Sequence, residues 1–503
     1  MKGFARTTVE RRQHPAVVTG DRTSTYGDLD QRADRLAEVL AAKGLAPGDR
    51  LAVMLPNSPE FFECTAASAK LGASALNLNW HLRAEEVAWI IDDSGAGALV
   101  THVDLRHQVE AVVRDRDLPV LWVGRDYEEA LAGASGAPRS FRWPTAWPVI
   151  YTSGTSGRPK GVVHGVAGDP AIMEMTHDGL AAMWGYQPDD THLVAGPLYH
   201  AGPWGYANLS LYVGATVVLM DGWDPRSFLS LVGRHRVTTT FLTPAHFIRL
   251  LEVPAEERDR FDVSSLRHVI HAGAPCPAPV KSAMIAAFPD AEIWELYGMS
   301  EGGATRVSST DWQAHPGTVG QPWPGVQIRI LDPDTHEPMA AGHDGLIYVR
   351  PAQGRFSYHN DPDKTADTWR DDAFSVGDIG HLDADGWLYL TDRYSDLIIR
   401  AGVNIYPREV EDVLYRHPAV VDCAVFGVPD DRDGELPVAV VEVRPGPDAP
   451  DAAALDRWCR DRLDPFKCPT RFDLVDTLPR DPNGKVLKRL LRDAAWAGTG
   501  RRI

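Results

Sequence analysis

Between residues 151 and 161 the chain reads YTSGTSGRPKG, directly after an apolar PVI. A strand therefore runs into a loop made of glycines, hydroxyls and one lysine. Gly154 and Gly157 let backbone N–H groups come close to an anion, because no Cβ stands in the way. Thr152, Ser153, Thr155 and Ser156 add hydroxyl donors, and Lys160 adds positive charge. The chemistry this composition suggests is the cradling of phosphate. The spacing is not that of a Walker loop, since Lys160 follows a proline and Gly161 follows it. By composition alone, a plain glycine-rich turn reads the same way.

Further groups stand downstream: HAGAP (271–275), YGMSE (297–301), VGD (376–378), DRYSDLIIRAGVNIYPREVE (392–411) and PRDPNGK (479–485). Together with the opening loop, and in this order, they resemble the motifs of the adenylate-forming superfamily. That superfamily includes acyl-CoA synthetases, peptide-synthetase adenylation domains and luciferases. The resemblance spans the chain almost end to end. The stretches GPLYHAGP, HAGAPCP and NDPDKTADT are most similar to actinobacterial-type acyl-CoA synthetases for bulky lipophilic acids.

The resemblance implies a carboxylate attacking the α-phosphate of ATP with Mg2+, loss of pyrophosphate, then attack of a thiol on the acyl-adenylate. It also implies the residues. The loop from Thr152 to Gly157, with Lys160, would hold the β and γ phosphates. Gly273, Ala274 and Pro275 would lie against adenine, with Tyr297 on its other face. Glu301 would bind magnesium, and Ser300, in place of the commoner threonine, would bond the α-phosphate. Asp378 would accept the ribose hydroxyls, and Arg393 would reach ribose or phosphate. Lys485 would bridge the carboxylate and α-phosphate, while Gly402 would leave room for the pantetheine arm of coenzyme A. Arg400, unusual for its position, fits either a CoA phosphate contact or ordinary surface. The hinge falls on Ser395, where the family usually has a charged residue, so a charged partner is lost.

For the acid, the resemblance points to segment 196–215. There His200 fits an aromatic gate or a packed core histidine. Gly205, Leu296 and Gly298 would shape the pocket. The segment carries no acidic residue for an amino group and no arginine for a second carboxylate. The expected substrate is a bulky hydrophobic acid, steroid-, terpenoid- or fatty-acid-like, with coenzyme A as acceptor. The alternative is delivery to a carrier-protein thiol or another nucleophile. A nucleotide-binding relic without activity is opposed by the joint presence of Lys160, Glu301, Asp378, Arg393 and Lys485.

The elements that must hold these residues alternate between helix and strand. DLDQRADRLAEVLAAKG puts Leu29, Ala33, Leu36 and Leu40 on one helical face, and Gly44 ends it. DRLAVMLPN then reads as a buried strand, and EFFECTAASAKLGASALNLN repeats the order. A mainly parallel α/β sheet follows. The last hundred residues suggest a small α+β domain, joined near TDRYSDLII. The expected fold is a large N-terminal α/β domain (1–393) with the ATP and acyl sites, and a small mobile C-terminal domain (394–503).

Composition bounds the rest. With 503 residues, one core is too few. A net charge of −18, from 51 basic and 69 acidic residues, disfavours nucleic acid as a partner. The N-terminus lacks the apolar core of a secretion signal, and no run is long enough to span a bilayer. Five scattered cysteines without CxxC spacing read as reduced, in a cytoplasmic protein. A monomer or homodimer is expected.

Overall fold

The computed structural model describes residues 3–145, 148–152, 159–165, 169–352, 354–430, 432–446, 449–481 and 484–496. The predicted alternation is present. The helix Tyr26–Ala42 starts at a reciprocal cap between Thr25 and Asp28. It buries Leu29, Ala33, Leu36 and Leu40, each 3 % exposed or less. The strand Arg50–Met54, the helix Pro59–Leu71 and the strand Ser74–Asn77 follow, the two strands pairing in parallel. All five cysteines are free and buried.

Two sheets build the site. One has seven strands; within it Ser74–Asn77 lies parallel to Pro148–Thr152, which turns back antiparallel to Lys160–His164. Phe356–Tyr358, almost two hundred residues later, adds itself antiparallel to Lys160–His164. The other sheet has fifteen strands. Its strands Thr239–Leu242, His268–His271 and Glu292–Met299 run parallel, as expected. From Met299 onward the expectation of parallel pairing fails. Gly302–Val307 returns antiparallel, and Asp378–Leu382 pairs antiparallel with Leu388–Arg393. The reason is the link: Ser300 and Glu301 alone join the two strands, and a parallel crossover needs a dozen residues or more. The YGMSE motif is thus a strand end and its hairpin turn.

A third, five-stranded sheet begins at Ile398. With the helices Pro407–Tyr415 and Ala452–Arg460 it encloses a core drawn only from residues 398–472, including Val410, Leu414, Val425, Val441 and Leu455. Among the described residues, no helix is long and apolar enough to cross a membrane.

Under the strands that lead into HAGAP and YGMSE lies a buried ion pair. Lys281, on the helix Ala278–Ala287, is 0 % exposed and donates to Glu295 Oε2 at 2.6 Å. Its ammonium also sits 4.9 Å from the Trp312 ring. Burial, the largest single influence, would raise the Glu295 carboxyl, but the charge and hydrogen bond of Lys281 together with His271 and Arg408 outweigh it and hold the pKa below its usual value. Glu295 precedes Tyr297 by two residues, and its strand pairs with His268–His271, which leads into HAGAP. The pair therefore underpins both segments that should face adenine. Removing one buried partner strands the other charge, at a cost of about 3–5 kcal/mol. Lys281→Met should lower unfolding free energy in urea by roughly that much, and Lys281→Met with Glu295→Gln by clearly less. Because the Glu295 pKa is depressed, its contribution is present above the ordinary carboxylate range and lost as pH falls through the lower folded value.

Candidate active site

The C-terminal segment 480–486 closes on itself. Arg480 and Val486 form an isolated antiparallel bridge, and the Lys485 backbone N–H donates to Asp481 Oδ1 at 2.9 Å. Gly484 holds φ at +84°, a left-handed value that favours glycine. This turn presses on the other sheet's helix Pro244–Glu252: a Cβ on Gly484 would stand 2.4 Å from the Ala245 Cβ. The result is a cleft between the two bodies, lined by Tyr151, His200, Thr243, Gly273, Ala274, Ser300, Asp481, Gly484 and Lys485. Lys485 thus joins the HAGAP and YGMSE segments across roughly two hundred residues of sequence. Desolvation and the Arg393 guanidinium lower the Lys485 pKa, against Asp481, Asp378 and Asp396. Arg400 and Gly402 are not among the residues lining this cleft.

A second group lies behind Ser300. Tyr297, at the end of its strand, donates its hydroxyl to Asp378 Oδ2 at 2.8 Å. Arg393 Nε donates to Asp378 Oδ1 at 3.1 Å, a contact set by the strand register that pairs Asp378 with Arg393. Each Asp378 oxygen still has a lone pair for a further donor. Burial pushes the Tyr297 hydroxyl pKa up, helped by the Asp378 charge, so it stays a donor. Gly273, at φ +89°, opens the loop that follows His268–His271.

The opening loop is framed on both sides. Residues Ser153, Gly154, Thr155, Ser156, Gly157 and Arg158 lie outside the described residues. Thr152 closes the strand before them, and Lys160 opens the strand after them. The Lys160 ammonium is 3.2 Å from Asp361 Oδ2 and 5.7 Å from the Tyr358 ring. The Tyr358 hydroxyl in turn donates to Glu301 Oε1 at 2.6 Å. Tyr358 therefore connects the phosphate-loop strand to the carboxylate expected to bind metal. Sequence reasoning missed both Tyr358 and Asp361. Their only signal was the run of polar and turn residues around NDPDK, without a chemical pattern of its own.

His200 stands at the start of the helix Ala201–Val213. Among the described residues its Nε2 is buried with no hydrogen-bond partner, as is the Tyr199 hydroxyl, and the two rings lie 4.4 Å apart. Burial, with help from His81, lowers the His200 pKa to about 4, so the ring is neutral at pH 7. Such a nitrogen on a residue that lines the cleft calls for a polar ligand. On the same helix, a Cβ at Gly205 would meet nothing within 4 Å, which leaves open space beside the helix. Leu296 packs against a buried aromatic cluster that includes Trp184, Tyr206 and Phe241. A Cβ on Gly298 would stand 3.0 Å from the Gly303 Cα, so its strand crowds the hairpin's return.

The donor set suits magnesium as well. Among the described residues no group of three His, Cys, Asp or Glu could hold a metal. One carboxylate, Glu301, joined through Tyr358 to the strand that opens at Lys160, fits the way magnesium is held, mostly by phosphates and water.

In the C-terminal body, Arg400 pairs with Asp433 at 3.2 Å and donates to the Phe466 carbonyl at 2.7 Å. Its guanidinium is therefore held within its own domain. Ala401 and Gly402, at φ +48° and +80°, make the hairpin tip between Ile398–Arg400 and Val403–Ile405. Ser395 sits in the short turn Tyr394–Asp396. Its carbonyl accepts from Arg492 Nη1 at 3.2 Å, and Arg492 also lies 3.6 Å from Asp396. The charged partner that Ser395 lacks comes instead from the helix Lys488–Trp496.

Comparison with known proteins decides the family. The AMP-binding enzyme model matches residues 4–355, and the AMP-binding enzyme C-terminal domain model matches 409–485. The chain belongs to the AMP-binding enzyme family. It is an adenylate-forming ligase, a class that works with ATP, Mg2+ and coenzyme A. Among curated relatives is a fatty acid–[acyl-carrier-protein] ligase of Streptomyces coeruleorubidus, 32% identical over 100% of this chain and 98% of its own length. A feruloyl-CoA synthase of an Amycolatopsis species is 35% identical, with 95% of each chain covered. Among solved structures, ATP-bound MatB from Rhodopseudomonas palustris superposes with a TM-score of 0.87 at 31% identity over the full length of both chains.

The Gly484 contact gives a direct test. Gly484→Ala places a methyl group against Ala245 and strains a left-handed backbone. Acid-dependent pyrophosphate release should fall at least about tenfold, a loss of ~1.4 kcal/mol. Ala245→Gly in the same chain should recover part of it, because only the steric component is relieved.

Proposed function

We propose that this enzyme activates a bulky, apolar, ring-bearing carboxylic acid with ATP and passes the acyl group to coenzyme A. The observation that carries this reading is the shared cleft, where Lys485 meets His200, Gly273, Ala274 and Ser300. The aromatic cluster behind Leu296 supports a large apolar acid, since burial supplies about 25 cal/mol per Å2 and acetate has little area to bury. Relatives named for feruloyl-CoA, for 2-succinylbenzoate and for a methyl-dioxo-octahydroindenyl propanoate handle ring acids.

In the first half-reaction, a carboxylate oxygen attacks the α-phosphorus, and the bond to the bridging oxygen breaks to release pyrophosphate. Both reactants are anions, so cationic help is needed in a dry cleft. Lys485 brings carboxylate and α-phosphate together. Among the described residues it has no ion-pair partner that would compete. Lys160 and the loop from Thr152 to Gly157 hold the leaving phosphates. Ser300 supplies a hydroxyl donor beside the α-phosphate, and neutral His200 faces the carboxylate. Gly273, Ala274, Pro275 and Tyr297 bracket adenine; Asp378 and Arg393 take the ribose. Glu301, oriented by Tyr358, would hold Mg2+, which screens phosphate charge when bound. In the second half-reaction, the CoA thiolate attacks the acyl carbon and AMP leaves. For that step residues 394–503 turn about Ser395 relative to 1–393, Lys485 withdraws, and the hairpin of Gly402 admits the pantetheine arm.

Lys485→Ala should slow adenylate formation by about a hundredfold or more, yet still convert a supplied acyl-adenylate to thioester. Gly402→Leu should do the reverse. Single-turnover assays of each half-reaction check this; equal damage to one step by both variants would refute domain alternation. Across an acid panel, kcat/KM should rise from acetate to ring acids. Acid-dependent pyrophosphate release without consumption of CoA would favour a carrier-protein thiol, the acceptor named for the Streptomyces coeruleorubidus relative.

A further inference from the structure

The turn that carries Lys485 is tied to the core of the small body by an arginine. Asp422 and Glu442 face each other directly across the antiparallel strands Val420–Asp430 and Gly434–Val443. Like charges so placed repel, and the Asp422 side chain is only 3 % exposed. Arg480 answers both acids: its Nη2 donates to Asp422 Oδ2 and stands 3.7 Å from Glu442 Oε2. The other Asp422 oxygen accepts from the Tyr415 hydroxyl and, at 2.7 Å, from the Cys423 backbone N–H. Glu442 Oε2 also accepts from the Leu478 backbone N–H at 3.1 Å. The two acids are thus held by their own sheet and its neighbours, and they offer Arg480 a fixed anchor.

The second arm of the guanidinium makes a bond that charge balance does not require. Arg480 Nη1 donates at 2.9 Å to the carbonyl of Gly484, the residue before Lys485. Backbone bonds close the same turn: Asp481 N–H donates to the Lys485 carbonyl at 2.9 Å, and Leu487 N–H to the Pro479 carbonyl at 2.8 Å. Those bonds shape the turn within itself, whereas the guanidinium ties its Gly484 limb to the sheet. A planar fork with fixed donor directions suits such a strut. Arg480 is not among the residues lining the cleft, so any effect on the reaction passes through Lys485.

We propose that Arg480 is a positioning residue for adenylate formation: braced on Asp422 and Glu442, it holds the Gly484 carbonyl, and with it Lys485, where the carboxylate and α-phosphate meet. This rests on the role of Lys485 proposed above. Every bond of the brace lies inside the small body, so the brace travels with Lys485 when that body turns. Thioester formation, from which Lys485 has withdrawn, does not need it.

Arg480→Met removes the strut but also strands the buried Asp422 charge. It is therefore made alone and together with Asp422→Asn, which removes that charge. Each full-length variant is followed by thermal unfolding and by single turnovers of adenylate formation and of thioester formation from supplied acyl-adenylate. The double variant should regain most of the stability that Arg480→Met loses, yet both should form adenylate at least about tenfold more slowly than wild type. The KM for ATP should hold, because the nucleotide contacts belong to the large body, and thioester formation should stay close to wild type. A double variant that regains adenylate formation along with stability would overturn the inference, since Arg480 would then only balance two buried acids. Equal slowing of both half-reactions would overturn it as well. Arg480→Lys keeps the charge and loses the two-armed fork, so it should fold and still slow adenylate formation. A lysine variant as fast as wild type would overturn the inference even if neither methionine variant folds. Lys485→Ala run beside them separates the two readings: if it leaves adenylate formation untouched, the role of Lys485 falls and the inference with it. If it is slow while the Arg480 variants are not, the inference alone falls.

Discussion

A lysine carried by one body has to enter a cleft built by the other, and the contact that permits it is backbone against methyl. Gly484 approaches Ala245 so closely that any side chain on the glycine would hold the turn away. Everything chemical about the cleft depends on that approach. The Arg480–Val486 bridge fixes the turn, the turn fixes Lys485, and the cation then faces Ser300, His200 and the HAGAP loop. A glycine at this position sets geometry by what it omits.

The nucleotide side is held differently, by charge and register rather than close approach. Strand pairing brings Asp378 to Arg393, and the Tyr297 hydroxyl locks the carboxylate from a second direction. Below them, Lys281 and Glu295 form an ion pair fully inside the protein. The same face of that strand bears Glu295 in the core and, two residues on, Tyr297 at its bond to Asp378, so one element transmits order from core to cleft. On the phosphate side, Tyr358 plays a comparable part between Lys160 and Glu301.

The sequence was most legible where function lives in short contiguous runs. The loop at 151–161, HAGAP, YGMSE, VGD and PNGK could each be read in place, and the helical face of Leu29, Ala33, Leu36 and Leu40 followed from periodicity. What could not be read was whatever depends on strand pairing across long separations. Tyr358 reaches Glu301 only because Phe356–Tyr358 adds to a strand almost two hundred residues earlier. The change from parallel to antiparallel pairing at Ser300 and Glu301 was hidden for another reason. The motif's chemistry drew the eye from its length, though a two-residue link dictates a hairpin.

Consider last the joint at Ser395. On its N-terminal side, the Tyr394 backbone N–H donates to the Gly377 carbonyl, which ties Tyr394 to the large body beside Asp378. On its C-terminal side, the Ser395 carbonyl is held by Arg492, which belongs to the small body and also lies beside Asp396. Both flanks are thus anchored, one to each half. Only the backbone torsions of Tyr394 and Ser395 lie between those two bonds, and the Arg408 backbone N–H of the small body also donates to Asp392 Oδ2 at 2.9 Å. The joint is therefore short and pinned at both ends, and not a tether whose slack could spread along the chain.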